Sequence, residues 1–209
     1  MIEKPLAFVG KIIADFTHEI NNHLALIKES AGLISDICKG KKSIDKKEIP
    51  YIIESIEAIE NQINRSVSFI NYFNRFAHRM DNLKSSFKLS SAVEELFELL
   101  KRYSNRKKVT LNHDLSADMP DIESSPFIVE FAIFYVIDSF LKKSKPDTKI
   151  ILTADASSNL VTVTIKYNGD FTENITSEIW NISTVQEIAS LANIKISIED
   201  KTATIEIPV

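Results

Sequence analysis

The residues of this chain with the types and spacing to do chemistry lie in Asp15-Phe16-Thr17-His18-Glu19-Ile20-Asn21-Asn22. A neutral imidazole is a competent nucleophile toward phosphorus, and its ordinary pKa of about 6.5 leaves much of it neutral at cellular pH. A carboxylate beside it can orient or accept a proton, and an amide one helical turn away can orient a water. The segment sits in an amphipathic pattern, Val9, Ile13, Phe16, Ile20, Leu24, Ile27, Ala31, Ile34, which steps by threes and fours. His18 is two residues from both Phe16 and Ile20, about 200° around a helix from each, so it is expected to face solvent or a partner. Asn22 shares that face. A lone histidine on such a face usually does nothing; Glu19, Asn22, Leu24 and Ala25 around it change the reading.

The rest of the chain must position that face. It has 209 residues, 44% hydrophobic and 26% charged, with a net charge of −4 and one cysteine, Cys38. This is an ordinary globular composition, large enough for a real core, with no electrostatic case for nucleic acid. The basic runs Lys39–Lys42 and Arg106–Lys108 fall at expected loops or helix ends and read as solvated. A single cysteine excludes an internal disulfide and fits a reducing, cytoplasmic location. No apolar run approaches the roughly 18 residues of a membrane span, and the N-terminus lacks a signal-peptide layout. His18 and His23, five residues and about 140° apart on a helix, make a poor metal pair, and His78 at a helix end and His113 in a strand read as structural or solvated.

The first helix is expected from about Glu3 to Ile37, stopping near Gly40; a second carries Ile52, Ile56, Ile59, Ile63, Val67, Ile70, Phe73 and Ala77. Joined by Lys39–Glu48, they should form an antiparallel hairpin. Each stripe is longer than one hairpin covers, which predicts a homodimeric four-helix bundle; burial against the rest of the same chain is the rival. After the polar link Asp81–Ser86 the elements shorten. A helix follows Ser90-Ser91, then a strand Lys108–Leu115 and a turn at Asp118–Asp121. A helix Pro126–Leu141 leads to strands Lys149–Ala154 and Leu160–Tyr167, a helix Thr184–Ala192, and strands Lys195–Glu199 and Ala203–Ile207. The expected fold class is α+β: a helical hairpin over residues 1–80 and an α/β sandwich over 86–209, with helices on one face of a mixed sheet.

The stretch His18-Glu19-Ile20-Asn21-Asn22-His23-Leu24-Ala25 resembles the phosphoacceptor box of bacterial sensor histidine kinases, with His23 where that family commonly has proline. The hairpin resembles their dimerisation and phosphotransfer domain. Phe87–Val209 is similar in order and spacing to their ATP-binding domain, including Asp118-Met119-Pro120 and the closing Ile205-Glu206-Ile207-Pro208. The nucleotide motifs depart from the pattern. Phe134 and Asp138 stand where the family places two asparagines, and Tyr167-Asn168-Gly169-Asp170-Phe171 stands where it has Asp-x-Gly-x-Gly. No glycine follows Gly169, and the lid is about a dozen residues long. These losses remove the adenine acceptor and the flexible anion-cradling turn, so kinase activity on ATP is not expected. Phe171 and Trp180 are expected to fill the vacated pocket, and Phe127, Phe131, Phe134 and Phe140 to pack in the core.

The resemblance then implies a dimeric histidine phosphotransferase of a phosphorelay. His18 Nε2 would exchange phosphoryl groups with a response-regulator receiver aspartate, with Glu19 orienting a proton. The receiver would bring the acidic pocket and the magnesium ion; no cofactor is expected on this chain. Glu19 to Asn22 also matches the Glu-x-x-Asn pattern of receiver phosphatases, which leaves transfer and hydrolysis both open. Docking is expected on Thr17, Asn21, His23 and Ala25. The alternatives are a non-catalytic adaptor and, third, an unorthodox active kinase.

Overall fold

The computed structural model describes residues 3–41, 43–116, 118–172 and 183–209. Helix α1 spans Glu3–Cys38 and helix α2 Ile49–His78. They run antiparallel, because Phe8 meets Phe76, Phe16 meets Phe73 and His23 meets Ser66. Gly40, at φ +71, ends the first helix, and Pro50 opens the second. Between them an ion pair from Lys41 to Glu48 and the bond from Lys47 N–H to Asp45 Oδ1 (3.1 Å) tie down the loop. No described helix is long and apolar enough to cross a membrane.

The remainder is the expected mixed sheet with helices on one face. Helix α3 spans Leu89–Lys107, α4 Pro126–Lys143 and α5 Ser183–Ala189, which runs on into a 3-10 turn at Ser190–Ala192. In chain order the strands are β1 (Ser85–Phe87), β2 (Val109–Asp114), β3 (Ile122–Ser124), β4 (Thr148–Ala156), β5 (Leu160–Asn168), β6 (Lys195–Glu199) and β7 (Thr202–Pro208). Five form one sheet in the order β2-β4-β5-β7-β6, with β2 parallel to β4 and the other pairs antiparallel. Alternation places Ile150 and Leu152, Val161, Val163 and Ile165, and Ala203, Ile205 and Ile207 inward. The pair β1–β3, two strands of three residues each, was not anticipated.

One expectation about α1 is corrected. Its buried residues are Phe8, Ile12, Asp15 and His23, while Ile13 and Leu24 of the expected core stripe stay 46% and 56% exposed. The reason is a second neighbour: the N-terminal half of α1 packs on α3 and α4 as well as on α2. Phe8 is fully buried, with ring centroids 4.4 Å from Phe134, 5.4 Å from Phe76 and 5.8 Å from Phe127. Such a ring contributes roughly 1.5–3 kcal/mol by burial, with further gain from edge and offset contacts. Burial against the same chain, the rival of the dimer, therefore holds for this half.

Three ionic links join the same surfaces. Lys11 pairs with Asp138, and Arg102 Nη1 donates to Asp15 Oδ1 at 3.1 Å. Arg79 lies between two carboxylates, donating through Nη2 to Glu95 Oε2 at 2.9 Å with its Nε 2.9 Å from Glu130 Oε1. Its Nε–H is directed at Glu95, so Glu130 has an ion pair but no hydrogen-bond donor among the described residues. Burial therefore dominates over Arg79 and pushes the Glu130 carboxyl well above its ordinary range.

Candidate functional site

His18 is exposed near the middle of α1, and among the described residues its ring makes no hydrogen bond or ion pair. Its accessibility follows from helix phase. Phe8, Ile12 and His23 face α2, α3 and α4, Ile13 and Leu24 face the uncovered side, and His18 lies between the two surfaces. Thr17, Asn21, Asn22 and Ala25 are exposed around it. Thr17 Oγ1 donates back to Ile13 O at 2.8 Å, which ties down its hydroxyl.

Glu19 does not meet His18. One carboxylate oxygen lies 3.5 Å from His23 Nε2, and the other accepts from Asn22 Nδ2 at 3.4 Å. Successive helical residues diverge by about 100°, and the contacts to His23 and Asn22 hold the carboxylate on the side away from His18. His23 itself is buried, 8% exposed, which corrects the expectation that it belongs to the exposed flank. Its Nδ1 is 3.0 Å from Ser66 Oγ, and that hydroxyl donates its own hydrogen to Gln62 O at 2.8 Å. Ser66 thus bridges His23 Nδ1 and the α2 backbone, and Nε2 is the ring atom presented to Glu19. At the position where the resembling family has proline, this chain ties its two helices together.

The structure does not bring the four nucleotide-motif positions into one site. Phe134 and Asp138 share the side of α4 that faces α1 and α3. Phe134 packs tilted against Phe8, and Asp138 binds Lys11 through one oxygen and Lys142, at 2.6 Å, through the other. Tyr103 also bonds Asp138, and burial followed by that carboxylate pushes its phenol up to about 12. Lys11 Nζ sits 3.2 Å from the Tyr103 ring centre, where burial outweighs Asp138 and lowers the ammonium pKa. Tyr167 and Gly169 lie across the helix, where Tyr167 stacks on Phe140 and, 4.4 Å away, on Phe171. Four-residue spacing puts Phe134 and Asp138 on one face but does not say which face. The half-exposed side of α4 between these two sets carries Tyr135 and Ser139.

Each of the four positions has a structural occupation. The Tyr167 hydroxyl donates to Asp170 O at 2.7 Å and accepts from Lys145 N–H at 3.3 Å. A Cβ at Gly169 would lie 2.3 Å from Thr148 Cγ2, so the glycine serves close packing of the sheet edge. Phe171 joins the aromatic stack, as expected of a residue filling space, while Trp180 lies outside the described residues.

Sequence reasoning missed a cleft of about 800 Å³ where α1 and α2 meet α3. Glu19 and His23 line one wall, Asn64 and Arg65 another, and Lys101 and Arg102 the third. The residue that anchors it, Asp15, lies 87 positions from Arg102, so no local pattern could reveal the pair.

By sequence, no family model matches the chain and no curated protein matches it. Solved structures resemble it in fold. The Acinetobacter baumannii histidine kinase AdeS is 15% identical with a TM-score of 0.52, covering 91% of this chain and 97% of that one. The catalytic domain of the histidine kinase ThkA, 14% identical with a TM-score of 0.51, covers 60% of this chain and 96% of its own. ThkA in complex with the response regulator protein TrrA is 16% identical with a TM-score of 0.50, covering 97% of this chain and 62% of that one. A helical hairpin followed by an α/β sandwich like that of histidine kinases is thus the fold of this protein.

Proposed function

We propose that this chain is a histidine phosphotransferase of a two-component phosphorelay, with His18 exchanging phosphoryl groups with the aspartate of a response-regulator receiver. The observation that carries the reading is the state of His18: an exposed imidazole with no partner among the described residues, midway along a hairpin of the histidine-kinase fold. In the reaction Nε2 attacks the phosphorus of the aspartyl phosphate. The N–P bond forms as the P–O bond to the aspartate breaks, the carboxylate leaves, and the Nδ1 proton is then free to depart. The receiver holds the magnesium ion and shields the transferring charge.

ThkA was crystallised with a response regulator, which supports a receiver as the class of partner. A nucleotide as phosphate source is disfavoured because Phe134 and Asp138 are committed to α1 and Tyr167 and Phe171 to each other. Asn22 is exposed one turn from His18, so the same interface could direct a water at the receiver's phosphate. The orientation of Glu19 toward His23 favours the second reading, an adaptor that binds a receiver without exchange. The uncovered apolar residues Ile13 and Leu24 of α1 and Ile56, Ile63 and Val67 of α2 support a homodimer through the hairpin.

The test is incubation with a panel of purified receiver domains carrying labelled aspartyl phosphate. Label is expected to move onto the chain, and His18→Ala to abolish the transfer. Asn22→Ala should leave transfer and slow release of free phosphate. Receiver binding without label on His18 would leave the adaptor reading, and label from ATP with magnesium would restore the kinase.

A further inference from the structure

We propose that His23 is a positioning residue for phosphate release: it holds Glu19 against Asn22, and the pair so fixed directs a water at the receiver's aspartyl phosphate. The proposal rests on the reading that a phosphorylated receiver meets His18, and it names what sets the balance between transfer and hydrolysis there. The three side chains form one connected unit. Glu19 Oε1 lies 3.5 Å from His23 Nε2, and Glu19 Oε2 accepts from Asn22 Nδ2 at 3.4 Å. A glutamate near a helix surface ordinarily samples many rotamers. Here both of its oxygens are engaged, and the inner end of the unit is fixed. The His23 ring is 8% exposed, edge-on to Phe69 with centroids 6.4 Å apart, and its Nδ1 lies 3.0 Å from Ser66 Oγ on α2. The neighbouring helix therefore sets where the carboxylate stands. A proline, common at this position in the resembling family, has no polar side-chain atom with which to do so.

The chemistry follows from donors and acceptors. An ionised carboxylate only accepts, so the Asn22 amide turns Nδ2 toward Glu19 and keeps Oδ1 for another partner, on an exposed residue one turn from His18. Acceptors are what a nucleophilic water needs. With its hydrogens held by Asn22 Oδ1 and Glu19, a lone pair is left to attack phosphorus. The water oxygen bonds to phosphorus as the P–O bond to the aspartate breaks, and the carboxylate leaves. One proton stays on the inorganic phosphate, and the other passes through Glu19 to solvent. Held against His23, Glu19 is at the same time withheld from His18. The contact that serves release thus does nothing for transfer.

The test uses the receiver that exchanges most label with His18 in the panel above, and reads label on the chain and free phosphate in the same samples. His23→Leu fills the buried site without a polar atom. It is expected to slow phosphate release roughly tenfold at unchanged KM for the receiver, while transfer to His18 holds or rises. His23→Gln, whose amide can still meet the carboxylate, should recover much of the release. In a Glu19→Gln background His23→Leu should make little further difference, because the group it positions has already been changed. Ser66→Ala, which removes only the ring's partner on α2, should shift the ratio of release to transfer in the same direction and serves where His23→Leu does not fold. An unchanged ratio in these variants would overturn the proposal. So would an equal fall of transfer and release, the mark of a histidine that only holds the helices together. Failure of the phosphotransfer reading looks different, because then the parent chain itself would take no label from any receiver.

Discussion

The hairpin is two structures end to end, and His18 marks their junction. Below it, toward the helix ends that meet the sandwich, α1 buries Phe8, Ile12 and Asp15 among α2, α3 and α4, and Arg79, just past the end of α2, is caught between Glu95 and Glu130. Above it the same helices touch little but each other, and Leu24, Leu33, Ile53, Ile56 and Ile63 remain 44–56% exposed. One half is fixed by its own chain; the other presents apolar surface that a second hairpin could cover. A phosphoacceptor at that boundary is held by the fixed half while a partner can approach from the open half.

Phe8→Ala should break this contrast most strongly. It removes a fully buried ring that four other phenylalanines surround, and it should cost about 3–5 kcal/mol in urea unfolding. Leu24→Ala, of similar chemistry but 56% exposed, should change the stability of the isolated chain by no more than about 0.5 kcal/mol. Its effect should appear instead as a weaker dimer, read from the concentration dependence of the mass by light scattering. Equal losses from the two substitutions would erase the distinction between the halves.

Arg79→Ala comes next. Glu95 would keep Arg75 at 2.8 Å, but Glu130, 1% exposed, would have no cation among the described residues. Breaking a buried pair by removing one partner typically costs about 3 kcal/mol or more, and here protonation of Glu130 offsets part of the loss. A drop of about 3 kcal/mol is expected, together with faster amide exchange at the start of α3.

The junction was partly legible in the sequence. The hairpin and the chain order of the longer strands and helices follow from strong 3.6 and 2.0 periodicities, and the solvent-facing phase of His18 follows from the positions of Phe16 and Ile20. The second face of α1 was hidden because it runs through Asp15 and His23, polar residues that a search for apolar stripes passes over. Their partners are remote in sequence: Arg102 for one carboxylate oxygen of Asp15, and Ser66 for His23 Nδ1. The strands β1 and β3 were missed because three residues carry too little alternation to register. The side of α4 to which Phe134 and Asp138 belong depended on which neighbour covered it, and spacing alone does not encode that.

Glu130 supplies a pH test of the fixed half. Burial holds its carboxyl protonated to higher pH than in the unfolded chain, so the folded state binds the proton more tightly. The stability this contributes is fully present below the unfolded value of about 4.3 and is lost as pH rises through the raised folded value. Glu130→Gln cannot titrate, so its stability should gain on that of the parent protein across the same window. The gain should be on the order of 1 kcal/mol per pH unit within it. Unfolding free energies measured from pH 4 to 8 check this, and parallel curves would mean that Arg79 keeps the carboxylate charged throughout.

The smallest expected effect lies at the upper edge of the junction. Ser66 Oγ is the hydrogen-bond partner of His23 Nδ1, 3.0 Å away, and lies 2.8 Å from Gln62 O. Ser66→Ala leaves that ring nitrogen without its partner in a site 8% exposed, a loss of about 1–2 kcal/mol. The ring would then be free to turn, and Glu19, 3.5 Å from Nε2, would lose the contact that holds it away from His18. Stability should therefore fall while the proton-accepting group becomes available to the phosphoacceptor, so the rate of phosphoryl exchange should hold or rise. Ser66→Thr keeps the hydroxyl and should leave both near the parent values. A fall in exchange with Ser66→Ala at unchanged receiver affinity would mean instead that Glu19 works from its position against His23, as part of a fixed array.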